Sequence, residues 1–405
     1  MNQIEKLIAE LCSDGVPYLP IGSDEVSKRV VAGATPKTGQ PDFWENGTIP
    51  WMSSGEVNKG TIYSTDQLIT QSAYDSTSTK MVPPGTIVMA LAGQGKTRGT
   101  VARTRIELCT NQSLASIVVA EKMDSDFLYY FLKTQYQKLR EVSSGEGTRG
   151  GLNLKMIRAY KVPVPPIEVQ RAIVEILDKF TELEAELEAE LEARKKQYEH
   201  YRYELLSFEK DISFVKLSDV VEYVNGKAHE KLAAPEGEVA MVTARFVSRN
   251  GEANRFLHQH DVLTPANIGD VALVLSDLPN GRALARTFYV DRDNAYAINQ
   301  RIARLRVKDS NLINPKFVHY FLDRNPALLR YDNGFDQTHL SKSQVTGLPF
   351  PMISREQQNH IVQILDEFDA LVNDLSSGLP AEIEARRKQY EYYRDQLLTF
   401  KELAS

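Results

Sequence analysis

Two segments of the 405-residue sequence occur twice, in the same order and with few differences. The segment IVEILDKF at 173–180 returns as IVQILDEF at 361–368. The segment EARKKQYEHYRYELLSF at 192–208 returns as EARRKQYEYYRDQLLTF at 384–400. A chain duplicated in this way is expected to fold as two copies of one unit, and each copy here is a variable body followed by a nearly constant helix.

The two bodies upstream of these helices share less sequence. TNQSLASIVV at 110–119 is similar to INQRIARLRV at 298–307, and DFLYYFL at 126–132 is similar to KFVHYFL at 316–322. Short β-branched runs alternate with Gly, Pro and Asn turns, which predicts mixed α/β bodies. Pro165-Pro166 and Pro351 then interrupt the chain just before the constant helices begin.

The first constant helix contains the run LEAELEAELEAR at 183–194, in which leucine recurs every four residues. At 100° per residue, one apolar stripe passes through this run and along the whole helix. A lone amphipathic helix of about 43 residues, roughly 65 Å long, needs a partner stripe, and the second constant helix is the obvious candidate. The predicted packing residues are Phe180, Leu183, Leu187, Leu191, Tyr198, Tyr201, Phe368, Leu375, Ile383, Tyr390 and Tyr393.

The second constant helix is not an exact copy. It has four more residues between Phe368 and Tyr390 than the first has between Phe180 and Tyr198. The extra length includes SSGLP at 376–380, whose glycine and proline are expected to break and restart the helix.

The segment ALAGQGKT at 90–97 fits a permissive phosphate-loop pattern, with Ala90 in place of the first glycine. A working phosphate loop needs a helix immediately afterwards. The chain continues instead with the β-branched, turn-like RGTVARTRIELCT. We therefore favour a glycine-rich basic turn, with nucleotide binding as the alternative.

Basic and amide side chains are concentrated in the two bodies, although the whole chain has a net charge of −6. Arg, Asn and Gln can contact base edges in pairs of hydrogen bonds, and Lys supplies charge for phosphates. The alternative is that these arginines are solvated or paired with acids. The candidate DNA-binding residues are Gln94, Lys96, Arg98, Arg103, Arg105 and Gln112 in the first body, and Arg245, Arg249, Arg255, Arg282, Arg286 and Arg301 in the second.

The sequence shows no pattern for catalysis, for a metal site or for a membrane span. Cys12 and Cys109 form no CxxC pair, and His258 with His260 has no acidic or thiol partner at a typical spacing. No apolar run approaches the roughly 20 residues of a membrane helix. A non-catalytic protein in a reducing cytoplasm is the expectation, with no metal bound by this chain.

Several stretches together resemble the specificity (S) subunit of type I restriction-modification enzymes, over essentially the whole chain. Apart from the duplicated helices, they are ELCSDGV (10–16), GATPKTGQPDFWENGTIPWMSSGEV (33–57) and GQGKTRGT (93–100). The four-residue words after LDKF are similar to those of the IC-like subgroup. The second body departs from the pattern, because NGKAHEKLAAPEGEVAMVTARFV replaces the signature found at 33–57.

The resemblance implies an α+β fold with two mixed α/β target recognition domains, separated by two long helices that pack as an antiparallel coiled coil in a pseudo-two-fold tandem repeat. It also implies the domain order. The implied ranges are 1–16 for an N-terminal helix, 17–162 for the first recognition domain, 163–211 for a central helical spacer, 212–350 for the second recognition domain and 351–405 for a C-terminal helical spacer.

The same resemblance implies a DNA-binding subunit of a restriction system that defends against foreign DNA. Each recognition domain would read one half of a bipartite, asymmetric site in double-stranded DNA. Two modification (M) subunits, which bind S-adenosylmethionine and methylate adenine, would dock on the helices. Motor-nuclease (R) subunits, which use ATP and magnesium, would join them, and this chain itself would hold no cofactor.

The four-residue repeat then suggests a ruler between two DNA-reading domains. Each unit adds one helical turn plus about 40° and advances the axis by about 6 Å, so the leucine stripe survives the gain or loss of a unit. Three alternatives remain at this point: the specificity subunit of a related phage-defence methylation system, a phosphate-loop nucleotide-binding protein, and a coiled-coil scaffold without a DNA role.

Overall fold

The computed structural model describes residues 3–92, 97–143, 151–208, 212–278, 283–332, 334–373 and 377–403. No described helix is both long enough and apolar enough to cross a membrane. The described helices are α1 (Gln3–Leu11), α2 (Gln71–Ser76), α3 (Ser125–Thr134), α4 (Tyr136–Val142), α5 (Leu154–Ala159), α6 (Ile167–Leu206), α7 (Leu217–Val220), α8 (Ala244–Ser248), α9 (Pro315–Leu322), α10 (Pro326–Leu329), α11 (Lys342–Thr346), α12 (Arg355–Asn373) and α13 (Leu379–Leu397).

The chain divides into two compact units, and the division runs through α6. The first unit is Met1–Leu187 with Ile383–Ser405, and the second is Glu188–Glu382. Each unit therefore combines one α/β body with part of α6; the first unit also contains most of α13, and the second contains α12 and the first turn of α13. The domain ranges drawn from the sequence stay predictions.

The first unit contains a five-stranded sheet in the order β2-β9-β6-β7-β4 and a three-stranded sheet in the order β5-β3-β8. Its strands are β1 (Tyr18–Pro20), β2 (Ser27–Ala32), β3 (Ile49–Met52), β4 (Thr61–Ile62), β5 (Gln67–Ile69), β6 (Ile87–Ala90), β7 (Val101–Thr104), β8 (Cys109–Thr110), β9 (Leu114–Val119) and β10 (Lys161–Pro163).

Strand β6 is buried on both faces because its alternate side chains enter two different cores. Ile87 and Met89 pack in the cluster that contains Phe127 of α3, whereas Val88 and Ala90 pack in the cluster that contains Met52 of the smaller sheet. A strand with two buried faces has a continuous apolar run, and IVMA is such a run.

The second unit contains two four-stranded sheets, in the orders β12-β20-β16-β18 and β14-β13-β19-β15. Its strands are β11 (Phe214–Lys216), β12 (Val221–Asn225), β13 (Val239–Val242), β14 (Phe256–Leu257), β15 (Pro265–Ala266), β16 (Val271–Val274), β17 (Ser276–Asp277), β18 (Thr287–Tyr289), β19 (Tyr296–Ile298), β20 (Ile302–Val307), β21 (Thr338–His339) and β22 (Pro349–Pro351).

The two units share the strand order of their core sheets although their bodies share little sequence, and β4 of the first unit and β15 of the second have no counterpart in the other unit. Strands β3 and β8 pair in parallel in the first unit, as β13 and β19 do in the second. A Cβ added at Gly33 would lie 1.7 Å from the Thr110 carbonyl oxygen, and one at Gly226 would lie 2.1 Å from the Asn299 carbonyl oxygen. Only glycine allows such close backbone approach. Gly226 is thus the counterpart of Gly33, the first residue of the 33–57 signature, although the second body lacks the rest of that signature.

Helix α6 spans 40 residues, a length of about 60 Å at 1.5 Å per residue. In the first unit it runs antiparallel to α13, because Phe180 stacks on Tyr393 while Glu184, further along α6, pairs with Arg387, earlier in α13. The predicted fold class, with two mixed α/β bodies and long helices between them, is confirmed.

The predicted break in the second constant helix is also confirmed. Helix α12 ends at Asn373 and α13 begins at Leu379, with Ser377 and Gly378 outside both. Pro380 is the second residue of α13, where a proline costs no intrahelical hydrogen bond because the first backbone N–H groups of a helix have no partner.

Candidate nucleic-acid interface

Aromatic rings join the constant helices in both units through equivalent residues. In the first unit, Phe180 lies 5.6 Å from Tyr393 and 6.3 Å from Tyr390 between ring centroids. In the second unit, Phe368 lies 5.4 Å from Tyr201 and 6.3 Å from Tyr198. Phe180 and Phe368 occupy the same place in the sequence repeat, so each phenylalanine packs on the tyrosine pair of the other copy.

The remaining predicted packing residues differ in exposure. Ile383 is buried, Leu187 and Leu191 are partly buried, and Leu183 is 46 % exposed. Leu375 lies outside the described residues. The spacer-packing assignment as a set stays a prediction.

A tyrosine hydroxyl in each body donates a hydrogen bond to a carboxylate on a constant helix of the same unit, α6 in the first unit and α12 in the second. The Tyr130 hydroxyl lies 2.5 Å from Asp178 Oδ1, and the Tyr320 hydroxyl lies 2.6 Å from Asp366 Oδ1. Burial, reinforced by the neighbouring carboxylate, raises the pKa of both tyrosines above the usual value. The hydroxyls therefore stay protonated and can donate over the whole physiological range.

Each body is also joined to its helix by a fully buried glutamine. Gln170 donates to the carbonyls of Lys122 and Pro165 and accepts from the Asp124 N–H. Gln358 makes the same set of contacts in the second unit. Sequence reasoning missed these glutamines, although each stands three residues before the repeated IVxILD segment.

The contacts of Gln358 match those of Gln170 one for one. Its amide nitrogen donates to the carbonyls of Leu312 and Ile353, and its oxygen accepts from the Asn314 N–H at 2.7 Å. A buried amide that satisfies three backbone groups holds two segments in a single register. These paired contacts fix each body on its helix.

Arg103 lies against the helices rather than on an open face of the first body. Its guanidinium pairs with Asp126 at 3.1 Å and Asp178 at 3.4 Å, and it lies 5.0 Å from the ring centroid of Tyr129. Burial alone would lower the pKa of Arg103, but the two carboxylates hold it above the usual value. Arg105 pairs with the same Asp126 at 2.9 Å. These contacts favour a structural role for both arginines, and their DNA-binding role stays a prediction.

The other candidates in the first body are dispersed. Arg98 is buried and donates to the Ser143 hydroxyl at 2.8 Å. Gln112 is exposed, and its oxygen accepts a hydrogen bond from the Thr35 hydroxyl. Gln94 and Lys96 lie outside the described residues. After the turn at 97–99 the chain enters strand β7 rather than a helix, which weakens the phosphate-loop alternative.

Three candidates in the second body converge on one concavity. Arg245, Arg255 and Arg301 line a space of about 290 Å³ together with Gln300 and Glu230. All three arginines are exposed, and within the described part of the chain none of them forms a salt bridge. This arginine concavity, as we call it, lies where the parallel strands β13 and β19 end.

The remaining candidates in the second body stand apart from the arginine concavity. Arg249 pairs with Glu252 at 3.7 Å on the exposed end of α8. Arg286 is partly buried just before β18, and Arg282 lies outside the described residues.

The arginine concavity is built on a fixed polar network. The His229 N–H donates to Asn299 Oδ1 at 3.2 Å, and Asn299 Nδ2 donates to Glu230 Oε1 at 2.8 Å. Gln300 Nε2 donates to the same carboxylate oxygen at 3.3 Å. Hydrogen bonding by Asn299 lowers the pKa of Glu230, so the carboxylate is charged at neutral pH. Sequence reasoning missed Glu230 because its partners are about 70 residues away.

Equivalent backbone positions carry different side chains in the first unit. The Asn111 N–H donates to the Met52 carbonyl as the Asn299 N–H donates to the Val242 carbonyl. The equivalent positions that follow are Gly55 for Arg245, Gln112 for Gln300 and Ser113 for Arg301. Two of the three arginines therefore have small, uncharged counterparts, and the two bodies present different chemistry from one scaffold.

The sequence matches a family model twice. The model described as "Type I restriction modification DNA specificity domain" matches residues 24–193 and 209–385. The chain is 28% identical over 293 residues to the type I restriction enzyme EcoR124I/EcoR124II specificity subunit of Escherichia coli, covering 68% of this chain and 70% of that protein. A putative type I restriction enzyme specificity subunit of Haemophilus influenzae is also 28% identical, covering 69% of this chain and 73% of that protein.

Solved structures share the fold at low sequence identity. The S subunit of a type I restriction-modification system from M. genitalium superposes with a TM-score of 0.54 at 15% identity, covering 95% of this chain and 96% of that one. The HsdS subunit from Thermoanaerobacter tengcongensis gives 0.53 at 16% identity, covering 96% and 97%. With the family model matching most of its length in two copies, the chain belongs to the family of type I restriction-modification DNA specificity subunits.

Proposed function

We propose that this chain directs adenine methylation, and restriction where the motor subunits are present, to a bipartite DNA site. Each α/β body reads one half of that site, and the chain performs no chemistry itself. The observation that carries the proposal is the duplication: two specificity domains that share the order of their core strands present different polar side chains at equivalent positions. Two different readers on one chain fit a site whose halves differ in sequence.

The partners follow from the same assignment. Two modification subunits bind S-adenosylmethionine and dock on the constant helices, and motor-nuclease subunits bring ATP and magnesium in the cytoplasm. The charge distribution supports this arrangement, because acidic residues are concentrated in the helices and basic ones in the bodies. Basic bodies gain affinity from DNA phosphates, while acidic helices avoid non-specific DNA and remain available to protein partners.

The long helix sets the distance between the half-sites in this proposal. Helix α6 is continuous from Ile167 to Leu206 and contributes residues to both compact units. A helix advances by about 1.5 Å per residue, so its length converts directly into a distance along the DNA. The LEAE repeats allow that length to change without disturbing the helix face.

Replacing one body tests whether each body reads one half. Residues 212–350 are exchanged for the corresponding segment of another specificity subunit, and methylated sites are mapped with the modification subunit present. The expected site keeps one half-sequence and acquires one new half. If both halves changed, or if neither did, the division of recognition between the bodies would be wrong. Complex assembly, measured by size-exclusion chromatography, controls for misfolding.

A further inference from the structure

The arginine concavity of the second body contains hydrogen-bond donors and a carboxylate acceptor to which the proposed function gives no specific role. Arg245, Arg255 and Arg301 are exposed cations that form no salt bridge within the described residues, unlike Arg103 and Arg105 of the first body. Arg255 is close enough to Glu230 to help lower the pKa of that carboxylate, but no salt bridge among the described residues occupies its fork of N–H donors, which stays open to a ligand.

The backbone positions of these three arginines are fixed. Arg245 is in the first turn of α8, which is capped by the Thr243 hydroxyl. The Arg255 carbonyl accepts from the Met241 N–H at 3.0 Å, and the Arg301 carbonyl accepts from the Leu275 N–H at 2.9 Å. Side chains on such anchored positions lose less freedom when they bind than side chains on a free loop.

Glu230 adds a single negative acceptor to this positively charged site. It is exposed, and the amides of Asn299 and Gln300 orient its carboxylate beside the arginines. A site that bound only phosphate would gain nothing from a carboxylate, which repels the DNA backbone. A carboxylate is useful where the ligand presents a donor next to acceptors.

The major-groove edge of a G·C pair presents that pattern. Guanine offers two acceptors, N7 and O6, which arginine contacts in a bidentate manner, and cytosine offers the N4 amino donor, which a carboxylate accepts. Adenine is instead contacted by Asn or Gln, and Gln300 already donates to Glu230. The set of side chains therefore selects guanine with cytosine over adenine with thymine.

We propose that the arginine concavity reads a G·C base pair in the half-site of the second domain, with an arginine on guanine and Glu230 on cytosine. This inference rests on the proposed function and adds the identity of a base pair. The first domain lacks two of the three arginines at equivalent positions, so its half-site is read by other contacts.

The test maps methylated sites for single substitutions in the full complex. Arg245→Lys, Arg255→Lys and Arg301→Lys keep the positive charge but lose the planar fork. At least one of them is expected to reduce discrimination at one G·C pair of one half-site by about 5- to 150-fold. Glu230→Gln is expected to reduce discrimination at the same G·C pair. Arg292→Lys, on the same body but paired with Asp291 and outside the set of candidate DNA-binding residues, is the matched control and leaves the site unchanged.

The outcomes separate this inference from the proposed function. If the unaltered chain directs methylation to a bipartite site but no arginine variant changes base preference, the G·C assignment is wrong. Equal loss of methylation at every site, with unchanged sequence preference, would reassign the arginines to phosphate contacts and also overturn it. If the unaltered complex shows no bipartite site, the proposed function itself fails. Assembly of each variant complex is checked so that misfolding is not mistaken for altered recognition.

Discussion

Deleting one four-residue unit, Leu183–Glu186, is expected to change the gap between the half-sites and nothing else. The deletion shortens α6 by about 6 Å and rotates the following residues by about 40°. One base-pair step advances by about 3.4 Å and turns by about 35°. The gap is therefore expected to change by one or two base pairs, while both half-sequences stay the same.

The local structure around the deletion explains why the helix should tolerate it. Leu187 and Glu188 take the places of Leu183 and Glu184, because the repeated words are identical. Glu188 then stands where Glu184 pairs with Arg387. Phe180, which stacks on the tyrosines of α13, lies before the deletion and keeps its position relative to the first body.

The assay is genome-wide mapping of methyladenine in cells that contain the variant and its modification subunit. Duplicating Leu183–Glu186 is the reciprocal variant and should change the gap in the opposite direction. Glu186→Gln keeps the length of α6, alters one exposed side chain and should leave the gap unchanged. An unchanged gap in the deletion variant, or new half-sequences, would refute the ruler.

Three further predictions concern stability, each measured by chemical denaturation. Gln358→Ala should lower the free energy of unfolding by about 2–4 kcal/mol, because it removes three buried hydrogen bonds, whereas Ala at the exposed Gln363 should cost less than about 0.5 kcal/mol. Gly226→Ala should cost about 1–3 kcal/mol, because its Cβ would lie 2.1 Å from the Asn299 oxygen, and a tolerated alanine there would contradict this reading. Burial lowers the pKa of His319 to about 4 in the folded protein. Below about pH 6.5, the ordinary pKa of histidine, the unfolded chain binds a proton that the folded protein does not, so the free energy of unfolding falls. Stability should drop by about 2 kcal/mol between pH 7 and pH 5, and His319→Gln should remove that part of the slope.

The helical part of the molecule was the most predictable from sequence. Helical periodicity depends only on neighbouring residues, so the sequence alone can predict that Phe180, Phe368 and the paired tyrosines lie on one packing stripe. Gly378 and Pro380 likewise act through local backbone preferences, and they mark the break that separates α12 from α13.

The candidate sites were less predictable because they depend on contacts between distant residues. Arg103 and Arg301 both stand in basic stretches of the sequence. In the structure, Arg103 is paired with Asp178, 75 residues away, whereas Arg301 lines an open concavity. The buried glutamines and Glu230 carry no local signal of their roles, since the groups they satisfy belong to other elements. Comparing the two copies position by position would have identified the glutamines.

The most direct test of the account is the site that the unaltered chain selects. The chain is produced with its modification subunit, and methylation is mapped on a library of random double-stranded DNA. We expect one asymmetric site with two specified halves and an unspecified gap of constant length. A contiguous site, a palindromic site or methylation without sequence preference would contradict it.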